Sequence, residues 1–177
     1  MELNEMGILG GNPKNEPMHY GEIMDVWSFS TKAKMSLSCC QAYMNHAGDQ
    51  DLKALLQDLI QQAKQEIQEC DALILDNGLA PAPMLPERPE AKAEDIPVGA
   101  RFSDQEIAAH LGGDMGISLT ACSQAMSMCT REDIGALFAK YHAAKAVFVT
   151  RILRLQKDKG WLVLPPLHVK NPELVEV

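Results

Sequence analysis

Apolar residues recur at steps of three and four positions over four long stretches of the chain. This spacing places them along one side of a helix, so each stretch predicts an amphipathic α-helix. The four helices are expected over about 18–47, 50–77, 103–129 and 131–160. The pattern therefore predicts an all-α fold.

Capping residues and glycines mark where these helices begin and end. Gly48 is expected to end the first helix, and Asp49 can cap the amino end of the second. Gly78 ends the second helix, and Ser103 with Glu106 forms a capping box at the start of the third. Because the join between the first two helices is only about one or two residues long, they must be antiparallel neighbours.

The segment 79–102 differs from the rest of the chain, because charged residues alternate there with five prolines, namely Pro81, Pro83, Pro86, Pro89 and Pro97. A helix of about 28 residues is roughly 40 Å long, whereas about 24 extended residues can span on the order of 75 Å. The segment can therefore run the length of the bundle and start the third helix parallel to the second. This connectivity predicts a ferritin-like antiparallel four-helix bundle with a long proline-rich crossover between helices 2 and 3.

The chain is expected to form one domain. Residues 1–17 are rich in glycine, asparagine and proline and predict an N-terminal arm. The bundle is expected over 18–160, with its crossover at 79–102. An apolar tail over 161–177 cannot continue the last helix, because Pro165 follows it closely. We expect this tail to fold back on the bundle or to bind a protein partner.

Composition narrows the possible partners and the location. The formal net charge is −8, so the chain has no overall attraction to nucleic acid or to an anionic membrane. No stretch approaches the roughly 20 apolar residues that a membrane span needs. The first residues are acidic, unlike a secretory signal, and the five cysteines form no repeating framework. These features predict a cytoplasmic protein with reduced thiols, no nucleic-acid partner and no membrane span.

A di-iron site would need inward carboxylates from all four helices and a Glu-x-x-His step on two of them. Glu69 is followed three positions later by Ala72, and the fourth helix has no glutamate after Glu132. The full ligand set is absent, so we expect no cofactor. A partial metal or small-ligand site stays open as an alternative, with the candidate residues His19, Glu22, Glu66, His110 and Asp114.

Charged residues also fall within the apolar stripes of three predicted helices. Glu66 lies in the stripe of helix 2, Lys145 lies in that of helix 4, and Lys34 is close to that of helix 1. Buried charges need partners. We therefore expect Glu66 to form an interior ion pair with Lys145 or with Lys34.

A metal site with sulfur ligands is a further, weaker hypothesis. The chain has 10 methionines and five cysteines, and Cys122 lies seven positions before Cys129. Thioether and thiolate ligands suit Cu(I), but no Cys-x-x-Cys step is present. Methionine and free cysteine are also common core residues, and that interpretation is preferred.

Three glycines, Gly112, Gly113 and Gly116, lie inside the predicted third helix. Glycine in a helix interior costs about 0.5–1 kcal/mol relative to alanine. We expect this cost to be offset, either by a helix that approaches closely or by a large side chain that lies across the glycine.

Several segments carry a resemblance to a known family: Gly7–Lys14, Glu16–Glu22, Phe102–Asp104, Arg131–Ile134, Lys159–Trp161 and Pro165–Pro166. They resemble an uncharacterised domain-of-unknown-function family of spore-forming Firmicutes, sometimes labelled spore-coat-like. The resemblance covers nearly the whole chain. It implies a ferritin-like bundle and supplies no catalytic residues.

The leading hypothesis is a non-enzymatic structural or interaction protein that forms a homodimer. It rests on the missing ligand set and on apolar tail residues such as Trp161 and Leu164, which we expect to be exposed. The resemblance adds an association with the spore coat. The alternative hypothesis is a metal- or small-ligand-binding ferritin-like protein with an incomplete interior site.

Overall fold

The computed structural model describes residues 13–168, and within that range it contains helices and no strand. The four long helices are α1 (Tyr20–His46), α2 (Gln50–Asp76), α3 (Asp104–Met128) and α4 (Glu132–Asp158). Short 3-10 helices lie at Pro13–Asn15, Ala93–Asp95 and Val98–Ala100. The prediction of an all-α fold with four helices is confirmed.

Most of the predicted helix ends coincide with observed caps. The Asp49 side chain accepts hydrogen bonds from the backbone of Asp51 and Leu52, and Ser103 forms its capping box with Glu106. Gly78 and Gly160 follow α2 and α4 with positive φ values of 74° and 70°, which glycine adopts without a steric cost. Local sequence signals therefore determine where these helices begin and end.

The helices pack as a bundle in which α1 contacts α2 and α3, and α4 contacts α3 and α2. Tyr43, near the end of α1, bonds to His110, near the start of α3. Arg151, near the end of α4, bonds to Asp58, near the start of α2. Neighbouring helices are therefore antiparallel. Their inward stripes form the core, whose largest fully buried apolar side chains are Tyr141, Phe138, Leu52, Leu56, Ile74, Ile107, Leu111, Ile134, Ile152 and Val26.

The connection between α2 and α3 is bonded to α1 at successive points. These contacts join Lys34 Nζ to the Ala82 carbonyl (2.6 Å), Arg88 Nε to the Ser38 carbonyl (3.1 Å) and Asn45 Nδ2 to the Pro89 carbonyl (3.0 Å). At the start of α3, the Asp104 carboxylate accepts bonds from the backbone N–H groups of Gly48 and Asp49. The third helix therefore begins beside the turn between α1 and α2.

The tail after α4 is only partly in contact with the bundle. Trp161 is partly buried and packs against the core, which differs from the exposure expected from the sequence. Val163, Leu164 and Leu167 are exposed. Much of the predicted arm and the last part of the predicted tail lie outside the described residues. Within 13–168, no helix is both long enough and apolar enough to cross a membrane.

The glycines of α3 have different surroundings. A Cβ added at Gly112 would lie 3.8 Å from Cγ2 of Ile152, an ordinary packing distance to α4. A Cβ added at Gly113 or Gly116 would meet nothing within 4 Å. The expected close neighbour is therefore not found for these two glycines within the part of the chain that the structure describes.

Candidate functional site

The middle of the bundle holds a buried ion pair between α2 and α4. Lys145 Nζ lies 2.7 Å from Oε2 of Glu66, and Gln62 Nε2 donates a 2.9 Å bond to Oε1 of the same carboxylate. Glu66 and Lys145 are only 1% and 6% exposed. Both stand in apolar stripes, so the packing that buries their neighbours buries them as well. Each oxygen of Glu66 already has a donor.

A stacked pair of aromatic rings lies beside the lysine end of this ion pair. Phe29 and Tyr141 stack with ring centroids 5.0 Å apart and planes 3° from parallel. Lys145 Nζ lies 5.9 Å from the Phe29 centroid, within the range of a cation–π contact. The Tyr141 hydroxyl donates a 2.8 Å bond to Oε2 of Glu69. Burial raises the pKa of the Tyr141 hydroxyl, and nearby Cys70 and Glu69 add to this shift, so it stays protonated.

A small cavity of about 40 Å³ lies between α1 and α3 and reaches the ion pair. Its polar lining comes from Lys32, Ser36, Glu66, Ser118 and Lys145, and the remaining lining residues are apolar apart from backbone groups. A water molecule needs roughly 10–15 Å³ of such space and two to four polar partners. The cavity can therefore hold water or a very small polar ligand.

Lys34 forms a different ion pair from the one considered in the sequence. Its Nζ lies 2.7 Å from Oδ2 of Asp71, and Ser30 Oγ donates a 2.5 Å bond to Oδ1 of the same carboxylate. Because Nζ also bonds to the carbonyl of Ala82, Lys34 links α1, α2 and the connection. Sequence reasoning missed Asp71 because it lies beside the apolar stripe of α2 rather than within it.

The five candidate metal ligands are not gathered in one place. His19 and Glu22 lie at the start of α1, with 3.6 Å between Nε2 and Oε1. His110 lies near the opposite end of the bundle, where Nδ1 is 3.0 Å from the Tyr43 hydroxyl. Glu66 is in the middle, and Asp114 is exposed on α3. Among the described residues, no three His, Cys, Asp or Glu side chains converge as metal ligands would.

Glu22 instead joins the start of α1 to the turn between α3 and α4. Its Oε1 accepts bonds from the backbone N–H of Thr130 (2.7 Å), the N–H of Arg131 (2.8 Å) and the Thr130 hydroxyl (3.1 Å). Oε2 accepts from the N–H of His19 at 3.1 Å. Burial alone would raise the pKa of Glu22, but the three N–H groups hold it below its usual range. The carboxylate therefore stays ionised although it is completely buried.

Arg131 strengthens the same junction. Its guanidinium makes a two-pronged contact with Asp133, at 3.0 and 2.7 Å, and Nη1 donates to the Glu16 carbonyl at 2.9 Å. The side chain is 3% exposed. From the sequence this segment was identified as the start of the fourth helix and as part of the family resemblance, but not as a contact, although an Arg-x-Asp step at a helix start is compatible with one.

An unusual cap begins α1. His19 Nδ1 accepts hydrogen bonds from the N–H groups of Gly21 and Glu22, and Nε2 donates to the Met128 carbonyl at 3.2 Å. In this arrangement Nδ1 is the acceptor of the ring and Nε2 is its donor. A Cβ added at Gly21 would come within 2.7 Å of Cε1 of His19. The absence of a side chain at position 21 leaves the room that the imidazole needs.

All five cysteines lie in the described part of the chain and are free thiols. Burial raises the pKa of Cys40 and Cys70 to about 12. Burial likewise raises the pKa of Cys122 and Cys129 to about 11. These four thiols are protonated near neutral pH, which disfavours nucleophilic chemistry.

Comparison with known proteins relates this architecture to others. The chain is 43% identical over 166 residues to the uncharacterised protein YvdQ of Bacillus subtilis (strain 168), a match that covers 94% of this chain and 98% of that protein. A crystal structure from Bacillus halodurans C-125, named as a "putative spore coat protein", superposes with a TM-score of 0.88 at 40% identity. That match covers 90% of this chain and 100% of the other.

A family model described as "protein of unknown function (DUF3231)" matches residues 6–174. The match includes all four helices and the connection between α2 and α3. The expected resemblance to a domain-of-unknown-function family with spore-coat-labelled relatives is thus confirmed at the level of the family. The chain belongs to the DUF3231 family.

Proposed function

We propose that this chain is a non-enzymatic structural or interaction protein that associates with the spore coat. Its ferritin-like bundle, over 18–160, carries an ion pair in the interior position where di-metal bundles hold their metal. The arm at 1–17 and the tail at 161–177 are contact segments outside that bundle. The protein is made in the cytoplasm of a sporulating cell.

The observation that carries this proposal is the contact between Glu66 and Lys145. An inward carboxylate in a bundle core needs a compensating positive charge. In a di-metal protein the ions supply it, whereas here the Lys145 ammonium supplies it at 2.7 Å. Gln62 donates a hydrogen bond to the second carboxylate oxygen of Glu66. The carboxylate is therefore already satisfied by groups of the chain itself.

Two further observations support the finer parts of the proposal. The contacts of the connection advance along α1, and α3 begins beside the α1–α2 turn, as a single long crossover requires. The location rests on the relative from Bacillus halodurans C-125, which carries the spore-coat name. With 40% identity over 90% of this chain, the two proteins share the same architecture.

Elemental analysis tests the absence of a metal site. Protein purified without a chelator is expected to contain no stoichiometric iron, manganese or zinc, because Glu66 is neutralised by Lys145. Its melting temperature should not change when these ions are added, since a ligand that binds only the folded state must raise it. Chelator-treated protein is the matched control.

Stoichiometric metal would contradict this proposal. It would favour the alternative of an incomplete metal or small-ligand site, which the cavity beside Glu66 and Lys145 supports. Alanine variants of His19, Glu22, Glu66, His110 and Asp114 would then show which residues hold the ion.

Localisation tests the coat assignment directly. A fluorescent fusion of the full chain, expressed in sporulating Bacillus cells, is expected to form a ring around the developing spore and to be extracted with coat proteins. A fusion of an unrelated cytoplasmic protein should stay diffuse in the mother cell. Diffuse fluorescence from this chain, with none in the coat extract, would refute the assignment.

A further inference from the structure

The outer side of the hairpin formed by α3 and α4 carries small, uncharged residues along its middle. Residues 115–130 contain no charged side chain and no histidine. The exposed residues of α3 along this side are small, namely Ala109, Gly113, Gly116, Thr120, Ser123 and Ser127. On α4 they are Ala136, Ala139, Ala143, Val147 and Thr150. We call these two rows the α3–α4 surface.

In each row, the residues recur at intervals that place them on one side of the helix. Successive members are three or four positions apart, which aligns them along the axis. Three charged residues of α4 point away from this surface: Lys140 pairs with Glu69 on α2, Arg151 pairs with Asp58 on α2, and Lys145 is buried. Arg154 continues the α4 row beyond Thr150, near the carboxyl end of the helix, and pairs with Asp158 of the same helix. A solvated helix normally carries charged and polar residues on its outer side, so this surface is unusual for one that faces only water.

The two unexplained glycines lie in the middle of this surface. A Cβ at Gly113 or Gly116 would meet nothing within 4 Å in this chain. Glycine in a helix interior is unfavourable, and its usual benefit is to let another backbone approach closely. No part of the chain within 13–168 does so, which leaves this side of α3 open to a neighbour.

The charges at the two ends of α4 identify that neighbour. Glu132 and Lys157 are both exposed, and among the described residues neither side chain has a hydrogen bond or an ion pair. They are 25 positions apart, about seven helical turns, so they lie on nearly the same side of α4. If a second copy packs antiparallel on this surface, Glu132 of each copy faces Lys157 of the other. A parallel arrangement would place like charges together.

The middle of the surface fits the same symmetry. Gly112 of α3 lies beside Ile152 of α4. The two helices are antiparallel, so Thr120, which follows Gly112 on α3, lies at the same height as Ala144, which precedes Ile152 on α4 by the same number of residues. Ala144 is midway between Glu132 and Lys157. A two-fold axis that pairs the end charges therefore passes close to Thr120, where the surface carries only small, uncharged side chains.

The available area is adequate for a stable dimer. Two helices of about 25 residues, each about 10 Å wide, present a surface of roughly 37 by 20 Å, on the order of 700 Å². Standard interfaces bury about 800 Å² on each partner. A chain of net charge −8 repels its own copy over most of its surface, and an uncharged middle with complementary ends avoids that repulsion.

We propose that the α3–α4 surface binds a second copy of this chain, antiparallel, about a two-fold axis near Thr120. This inference rests on the proposed function as an interaction protein and specifies its partner. The dimer contact joins small residues of α3 to their equivalents in the other copy. Glu132 and Lys157 pair across its two ends.

Analytical ultracentrifugation of the full chain at micromolar concentration tests the proposal. The unchanged chain is expected to sediment as a dimer. Thr120→Glu places two like charges near the axis and should weaken association about tenfold or more. Thr31→Glu on α1 is the matched control, since both threonines donate their hydroxyl to the carbonyl four positions earlier. The control should stay dimeric, and circular dichroism should show both variants folded.

Charge reversal tests the antiparallel arrangement. Lys157→Glu alone should weaken the dimer, and the double variant Glu132→Lys/Lys157→Glu should restore it, because the two ends exchange signs together. A monomeric unchanged chain, or a dimer that Thr120→Glu leaves intact, would overturn the α3–α4 contact. A double variant that stays weak would overturn the antiparallel pairing. None of these outcomes alters the localisation test, so the proposed function is judged separately.

Discussion

Replacing Lys145 with methionine is expected to lower the free energy of unfolding by about 3–5 kcal/mol, the usual cost of leaving a buried charge without its partner. Glu66 is 1% exposed and would keep only Gln62 as a donor to its carboxylate. Methionine has nearly the length of lysine, so the loss reports the charge rather than a cavity. Urea denaturation followed by circular dichroism measures the change.

Two further variants separate the charge effect from packing. The double variant Glu66→Leu/Lys145→Met should recover most of the lost stability, because apolar pairs of similar volume replace buried ion pairs at little cost. Lys140→Met removes a half-exposed partner of Glu69 and should cost about 0–1 kcal/mol. If Lys145→Met proved as mild as Lys140→Met, the interior pair would not be the constraint that its burial indicates.

Replacing Glu22 with glutamine is expected to be the second large effect, at about 2–4 kcal/mol, because bonds to a charged acceptor are stronger than those to a neutral one. The amide can accept through one oxygen only, so with that oxygen on Thr130 and Arg131 its NH₂ group meets the N–H of His19. Thermal and urea unfolding measure the loss. Glu106→Gln is the matched control, since Glu106 has the same position in the capping box of α3 but is exposed.

The effect of Glu22 should depend on pH in a defined direction. The folded protein holds the pKa of this carboxyl below its ordinary value of 4.5. The resulting stabilisation is complete above the unfolded pKa and is lost as the pH falls through the folded pKa. The difference in stability between the unchanged chain and Glu22→Gln should therefore shrink below about pH 4.5. A difference that stayed constant down to acid unfolding would contradict this account.

The sequence predicted the helices well because their signals are local. Asp49, Ser103 and Gly78 act on the backbone within a few residues of themselves, and each was found at the expected helix end. The cap at His19 was missed because serine, threonine, aspartate and asparagine are the preferred residues there. That histidine works as a cap only because glycine follows at position 21 and leaves room for the ring.

Partners across helices were harder to predict. Spacing showed that Glu66, Lys145 and Lys34 lie on or near inward stripes, but it could not show how each helix is rotated against its neighbours. That rotation pairs Lys34 with Asp71, and Glu66 with Lys145. Glu22 and Arg131 are 109 positions apart, and no local pattern indicates a backbone N–H as the partner of a carboxylate.

The position of Glu22 also indicates the order in which contacts between the helices form during folding. Each hairpin, α1–α2 or α3–α4, joins helices that are adjacent in sequence, so its contacts close short loops and form early. The bonds from Glu22 to Thr130 and Arg131 close a loop of more than a hundred residues, and its entropy cost delays them. We therefore expect the junction to form when two nearly complete hairpins dock. Weakening it should accelerate unfolding far more than it slows folding.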